Sequence, residues 1–328
     1  MSESITYKEY FTITAENAEK YGPKTILLMQ VGSFMEIYGL KDPNTNEING
    51  SQIVDVCQMC QLNISEKKSS YKNQQVLMAG VRDYALDKYL PKMIDGGYNV
   101  VVYVQEKTAI GIVRVFDAVY SPGTFLSSED NTSQITNNIM CVWMEKVRNR
   151  NNTDTLICGF STINILTGQS YIFEHETQYL LNPTTFDELE RAISVFAPSE
   201  IILISCFDEK TANSVHQYAN IQSSMVHFVS NNPEQPMYAS QSNKTSEKVQ
   251  NCEKQTYITH ILTTFFGSEA YHQCNEFSLY PIATQSFCFL LDFVQEHNGS
   301  LVKKIALPIF NNTTSRMILA NHTLKQLN

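Results

Sequence analysis

The sequence predicts an α/β protein built from at least two units, and three observations carry that prediction. Short β-rich apolar runs alternate with helical stripes along the first 125 residues, a second series of strands begins near residue 139, and the pattern turns helical after residue 257. A chain of 328 residues is too long for one ordinary core. Hydrophobic residues make up 43% and charged residues 17%, so burial can offset the entropy of ordering the chain. No basic segment precedes an apolar stretch at Met1, and no run of about 18 apolar residues occurs. The expectation is a soluble, intracellular protein with no membrane span.

From Tyr7 to Tyr21 the apolar residues follow a helical stripe that Gly22-Pro23 ends. Thr25–Val31 and Phe34–Leu40 read as two strands joined by a tight turn at Gly32-Ser33. After the loop Lys41–Gly50, Ser51–Leu62 reads as a helix. Glu66–Gln75 is polar and lysine-bearing and reads as an exposed loop. Val76–Val81 is a short strand, Asp83 can cap a helix over Tyr84–Ile94, and Gly96-Gly97 ends it. Tyr98–Gln105 and Ile110–Tyr120 are two further strands before Ser121-Pro122-Gly123-Thr124.

Ser127–Asn138 reads as a linker or surface loop. Ile139–Val147, Thr155–Ile165 and Gly168–Glu174 are three strands in series, followed by an amphipathic helix over Phe186–Phe196 and a buried strand over Glu200–Ser205. Ser230–Lys248 is the most polar stretch and reads as a mobile excursion. Helices are expected over Tyr257–Phe266, Pro281–Glu296 and Ile318–Leu327, with a short strand near Lys304–Ile309. Three strands, then helix and strand, resemble the ribonuclease-H-like arrangement.

Cys57 and Cys60 are the only closely spaced pair among eight cysteines. A zinc site needs two more ligands, and no second C-x-x-C or H-x-H pair follows, so both read as buried residues of a helix face. No metal site is expected. The net charge of −9 argues against holding nucleic acid by bulk electrostatics alone. Residues 1–128 carry a net −2 (12 basic, 14 acidic) and residues 129–328 a net −7 (12 basic, 19 acidic), which places any DNA contact in the first part.

Lys24-Thr25-Ile26-Leu27-Leu28-Met29-Gln30-Val31-Gly32-Ser33-Phe34-Met35-Glu36-Ile37-Tyr38 resembles the first strand pair of the DNA mismatch-repair MutS family, where a glycine precedes a Phe-x-Glu triplet. The resemblance continues in order through Met78-Ala79-Gly80-Val81, Gly97–Glu106, and Val113-Arg114 leading to Ser121-Pro122-Gly123-Thr124. Gly159–Gly168 resembles the opening hairpin of the MutS connector, and Phe287–Glu296 with Arg316–Leu319 and Leu324–Asn328 resembles the entry to its lever. Asn17–Lys24 is similar to the divergent branch of large DNA viruses and coral mitochondria. The implied fold is α/β: a mixed-sheet mismatch-recognition domain (residues 1–128), a ribonuclease-H-like connector (129–280) and an incomplete start of a helical lever domain (281–328).

The resemblance implies binding of double-stranded DNA with mispairs or small loops. Phe34 would be an aromatic wedge in the minor groove and Glu36 a probe of the displaced base, with Gly32 and Gly80 supporting their turns. A wedge works because a mispaired step costs less to unstack than a paired one. Glu36, two residues along a strand, shares a face with Phe34, and its charge penalises ordinary duplex. Lys67, Lys68, Lys72 and Arg82 are the candidates for backbone contacts. Without the family, Phe34 would read as core, Glu36 as surface and the three lysines as a solvated loop.

Met35 stands where the family usually has Tyr, Ser33 where Asp is common, and Arg82 where many members have Pro. No G-x-x-x-x-G-K-[ST] loop occurs, so the chain is expected to be a non-enzyme without a cofactor of its own: a truncated product, one piece of a split protein or a fragment. ATP and Mg²⁺ belong to full-length members. The resemblance also implies a homodimer in the full-length form, other repair factors as partners of the connector, and a viral replication compartment, cytoplasm or organelle. Two alternatives stay open: a connector-type protein-interaction module, and a ribonuclease-H-like nuclease. The second is disfavoured because Asn164, with Ser161 and Thr162, stands where metal-holding carboxylates are needed.

Overall fold

A computed structural model describes residues 3–108, 111–125, 137–234, 238 and 241–310. The closing helix expected over Ile318–Leu327 and most of the Ser127–Asn138 linker lie outside the described residues. The chain divides into two units, Met1–Asn131 and Thr132–Asn328. Among the described residues, no helix is long and apolar enough to cross a membrane.

The first unit runs α1 (Glu3–Tyr21), β1 (Thr25–Val31), β2 (Phe34–Lys41), β3 (Ile48–Asn49), α2 (Ile53–Cys60), β4 (Ser65–Tyr71), β5 (Gln74–Arg82), α3 (Leu86–Asp95), β6 (Asn99–Thr108) and β7 (Gly111–Tyr120). Its sheet has the order β4-β5-β2-β1-β6-β7, with β3 added to β2. β1 and β6 are parallel, and the other pairs are antiparallel. The apolar run of β1 is buried from Thr25 to Met29, as a central strand covered on both faces requires.

Alternation along β2 assigns the covers. Tyr38 meets the rings of Tyr7 and Tyr10 of α1 at 5.2 and 5.0 Å, both edge-on. Its neighbour Gly39 faces Ile53 of α2 so closely that a Cβ would collide with it. Helices α1 and α2 therefore lie on opposite faces. The Tyr10 hydroxyl is buried and donates to the Leu27 carbonyl at 3.0 Å, which anchors α1 to β1. Cys57 and Cys60 are buried on α2 with free thiols, and burial pushes the Cys57 thiol up to about 11.

Two expectations need correction here. Glu66–Gln75 is not a loop but most of a hairpin, β4 and β5 joined at Lys72-Asn73, both left-handed as a type I′ turn demands. β4 escapes sequence reading because it is a polar edge strand, held by a Ser69–Tyr7 hydrogen bond and a Tyr71–Phe11 stack. Gly80 is not in a turn either: it lies inside β5.

The second unit runs β8 (Asn138–Arg148), β9 (Asp154–Asn164), β10 (Ser170–Gln178), α4 (Asp187–Phe196), β11 (Glu200–Ser205), α5 (Glu209–Tyr218), β12 (Met225–Ser230), α6 (Asn243–Cys252), α7 (Gln255–Phe266), α8 (Ala270–Gln273), α9 (Glu276–Leu279), α10 (Pro281–His297), α11 (Gly299–Val302) and β13 (Ile309–Phe310). Its sheet has the order β12-β11-β8-β9-β10-β13. Three antiparallel strands are extended beside β8 by the parallel β11 and β12, which is the ribonuclease-H-like layout.

One face of this sheet packs Met140, Val142, Phe160 and Phe173 against Leu189 and Ile193 of α4 and Val215 of α5. The other face carries α10. Gly159 meets the backbone of Ile282 and Ala283 with no room for a Cβ, and Ser161 hydrogen-bonds Ser286 at 2.8 Å. Pro281–His297, the segment from which a third domain was expected to start, lies within this unit. Part of the polar stretch expected to be an excursion, from Asn243 onward, is helix α6, capped by Ser242.

Candidate nucleic-acid interface

The turn between β1 and β2 is two residues long, and Gly32 holds φ +61° at its first position, where a II′-type hairpin favours glycine. Its N–H donates to the Gln105 side-chain oxygen of β6 at 3.2 Å. This turn delivers Phe34 to the start of β2, opposite Arg82 of β5. Phe34 is 39% exposed, unusual for a phenylalanine. The Arg82 guanidinium lies over its ring, 4.6 Å from the centroid.

Glu36 shares the α1 face with Phe34 and Tyr38 but is recessed, only 8% exposed. The Tyr38 hydroxyl donates to its Oε2, and burial, reinforced by that hydrogen bond, pushes the Tyr38 hydroxyl well above its ordinary range. Gly80 pairs with Glu36 across the strands, and a Cβ there would lie 2.7 Å from the Met35 carbonyl oxygen. Gly80 thus allows β2 and β5 to close beneath Glu36.

Beside Glu36 opens a recess of about 580 Å³, lined among others by Tyr7, Tyr38, Lys67, Gln105, Ile112 and Arg114. Lys67 therefore shares the neighbourhood of Glu36. Lys68 is exposed, and alternation turns it away from Lys67. Lys72 is at the tip of the hairpin, level with Lys41, so a strand length of roughly 23 Å separates it from Phe34. Its ammonium lies 5.5 Å from the Tyr71 ring centroid. The four basic candidates are not one cluster.

Sequence reasoning missed two further cations at the Phe34 end. Lys107 is exposed where the β6–β7 hairpin continues past the end of β1. Arg114 is buried in the α1 face of β7, its Nη1 2.7 Å from Glu9 Oε2. A basic residue alternating with Ile112 and Phe116 was the available signal.

Residues 8–129 match the family model described as MutS domain I. A putative DNA mismatch repair protein, a mutS homolog of Acanthamoeba polyphaga mimivirus, is 26% identical over 98% of this chain and 29% of that protein. Residues 8–129 are a MutS domain I. DNA mismatch repair proteins MutS of Parabacteroides distasonis and Methanosarcina barkeri are 25% and 26% identical over 61% and 60% of the chain, and 20% and 21% of their own lengths. The chain spans less than a third of these MutS relatives. A fowlpox virus resolvase solved with Holliday junction DNA overlaps 48% of the chain at 10% identity and a TM-score of 0.26, too slight a likeness to bear on the fold.

In the second unit, Asn164 is committed to structure. Its amide donates to Asn138 Oδ1 and its oxygen accepts the Thr167 N–H of the following turn. Ser161 is bonded to Ser286. Neither is arranged as a metal ligand, and no cluster of three or more metal-ligating side chains occurs among the described residues.

Proposed function

We propose that this chain recognises mispaired or looped double-stranded DNA in mismatch repair, with Phe34 as the wedge and Glu36 as the probe. The observation that carries the reading is the pairing of an exposed Phe34 at a two-residue glycine turn with a recessed carboxylate two residues along the same face. The ring is flat and apolar, so it can enter an unstacked step without favouring one base. Deformation is cheapest at a mispair, so binding is tightest there. The carboxylate repels phosphates and reduces binding to intact duplex, while Arg82, Lys107 and Lys67 supply attraction near the wedge; Lys68 and Lys72 would reach backbone farther out.

We assign residues 1–128 to mismatch binding and the second unit, whose sheet carries α10, to the connector, which moves the start of the lever from residue 281 to beyond α10. The net charge of −7 beyond residue 128 favours a protein-facing connector that meets other repair factors. ATP, Mg²⁺ and homodimer contacts are assigned to other parts of full-length members, and the chain itself to a non-enzymatic role. An intracellular site of viral DNA replication fits the mimivirus relative.

A gel shift with mispaired and fully paired duplexes tests the function. Stronger retention of the mispaired duplex, lost in Phe34→Ala, is the expected outcome. Equal binding to both duplexes, unchanged by Phe34→Ala, would sink the proposal.

A further inference from the structure

We infer that the outer edge of β12 is a contact between two copies of this chain, which pair antiparallel there about a two-fold axis through His227. The inference concerns the second unit and does not rest on the DNA reading. β12 ends its sheet and pairs only with β11 among the described residues. The N–H groups of Met225 and Asn231 donate to the carbonyls of Ser199 and Ser205, on the β11 side. By alternation Met225, His227 and Val229 turn their backbone groups inward, and Val226, Phe228 and Ser230 turn theirs outward. At Ser230 the outward groups are taken: its N–H donates to Gln241 Oε1 at 2.7 Å, and its carbonyl accepts from Gln241 Nε2 at 3.1 Å. The Gln241 side-chain amide thus stands where the peptide group of a further strand would. The outward N–H and C=O groups of Val226 and Phe228 meet no such partner among the described residues.

Length and symmetry decide what fits. The free stretch runs from Val226 to Phe228, is centred on His227, and stops where Gln241 closes Ser230. A long added strand would run into Gln241. A second copy laid antiparallel runs out of free groups at the same places: Val226 exchanges both backbone bonds with Phe228 of the second copy, and Phe228 with its Val226. Such a contact is self-complementary, as a two-fold interface must be. It also sets a branched side chain beside an aromatic one, a pairing that stabilises antiparallel strands. His227 is drawn toward β11, its Nε2 2.6 Å from Glu200 Oε1, and so leaves the edge clear. β12 lacks the devices that keep strand edges apart. Lys67, Lys68 and a register shift guard β4, whereas Met225-Val226-His227-Phe228-Val229-Ser230 holds no lysine, acid or proline.

The test uses the 328-residue chain without DNA. Sedimentation velocity from roughly 1 to 200 µM should show monomer passing to dimer as concentration rises. Over the same range, hydrogen exchange at the Val226 and Phe228 amides should slow, a readout that needs no variant. Val226→Pro removes an N–H that β11 does not use, at an edge position where proline is tolerated. It should weaken the dimer by about tenfold or more, since each copy loses a donor. His227→Cys tests the register: residues facing each other across the axis form a non-hydrogen-bonded pair with Cα atoms about 4.5 Å apart, within disulfide reach. A mild oxidant should join two copies of that variant covalently and should not join the parent. A monomer throughout the range overturns the inference, including one whose β12 amides are slowed only by an added strand of another protein. A dimer whose Val226 and Phe228 amides exchange as in the monomer, or which Val226→Pro leaves as tight as the parent's, overturns it too.

Discussion

The two sheets are finished differently, although each uses a glycine on a central strand to permit close approach. In the second sheet Gly159 seats α10 directly on β9, and Glu174 of β10 accepts the N–H groups of Ile282 and Ala283 at 2.9 and 3.0 Å, closing the exposed end of that helix. Polar groups there are consumed by backbone, and β11 is buried along its whole length. In the first sheet Gly80 lets β2 and β5 close beneath Glu36, yet α1 leaves Phe34 exposed and a recess beside Glu36. Covered sheet gives stability, and uncovered sheet leaves charged and aromatic groups available for a ligand.

Gly159→Val breaks the covered side most severely. The added carbons would strike the α10 backbone, and overpacking of this kind should cost about 3 kcal/mol or more. Urea unfolding followed through Trp143, buried in β8, should report it. An unchanged midpoint would mean that α10 does not seat on this sheet.

The second unit should also lose stability in mild acid. His297 is buried and its imidazole is held down at about 4, chiefly by burial, while the unfolded chain titrates near 6.5. The folded state resists protonation, so its advantage is complete above pH 6.5 and is lost as pH falls toward 4, by about 3 kcal/mol at most. His297→Gln should flatten that part of the stability profile. A profile as steep in the variant as in the parent would assign the acid sensitivity elsewhere.

On the open side, Glu36→Gln keeps the shape and removes the charge. Paired duplex should then bind more tightly by on the order of fivefold, about 1 kcal/mol, and the preference for a mispair should shrink accordingly in fluorescence anisotropy. An unaltered preference would strip Glu36 of its discriminating role. Arg82→Ala should have the smallest effect on folding: an exposed cation over a ring contributes about 0.5–1 kcal/mol, and thermal melting should fall only slightly.

The contrast between the sheets also explains what could be read from sequence. β1, β2 and β11 stood out because strands buried on both faces are apolar runs, and their bounds were near those observed. β4 was hidden because its stabilising contacts, Ser69 to Tyr7 and Tyr71 to Phe11, come from residues some sixty positions away. α5 and β12 went unread because β12 is only half-buried over most of its length and α5 buries little beyond Ala212 and Val215. At the candidate site, the shared face of Phe34 and Glu36 followed from alternation alone. Their different depths did not, because depth depends on α1 and the Tyr38 hydroxyl, and neither did the recess that Arg114 completes.

The central claim is that Phe34 works at an unstacked base step. A duplex carrying 2-aminopurine next to a mispair reports unstacking as a rise in emission. Saturating amounts of the 328-residue chain should raise that emission with the mispaired duplex and not with the paired one, and Phe34→Ala, also at saturation, should leave it flat. The same rise with Phe34→Ala would contradict the claim.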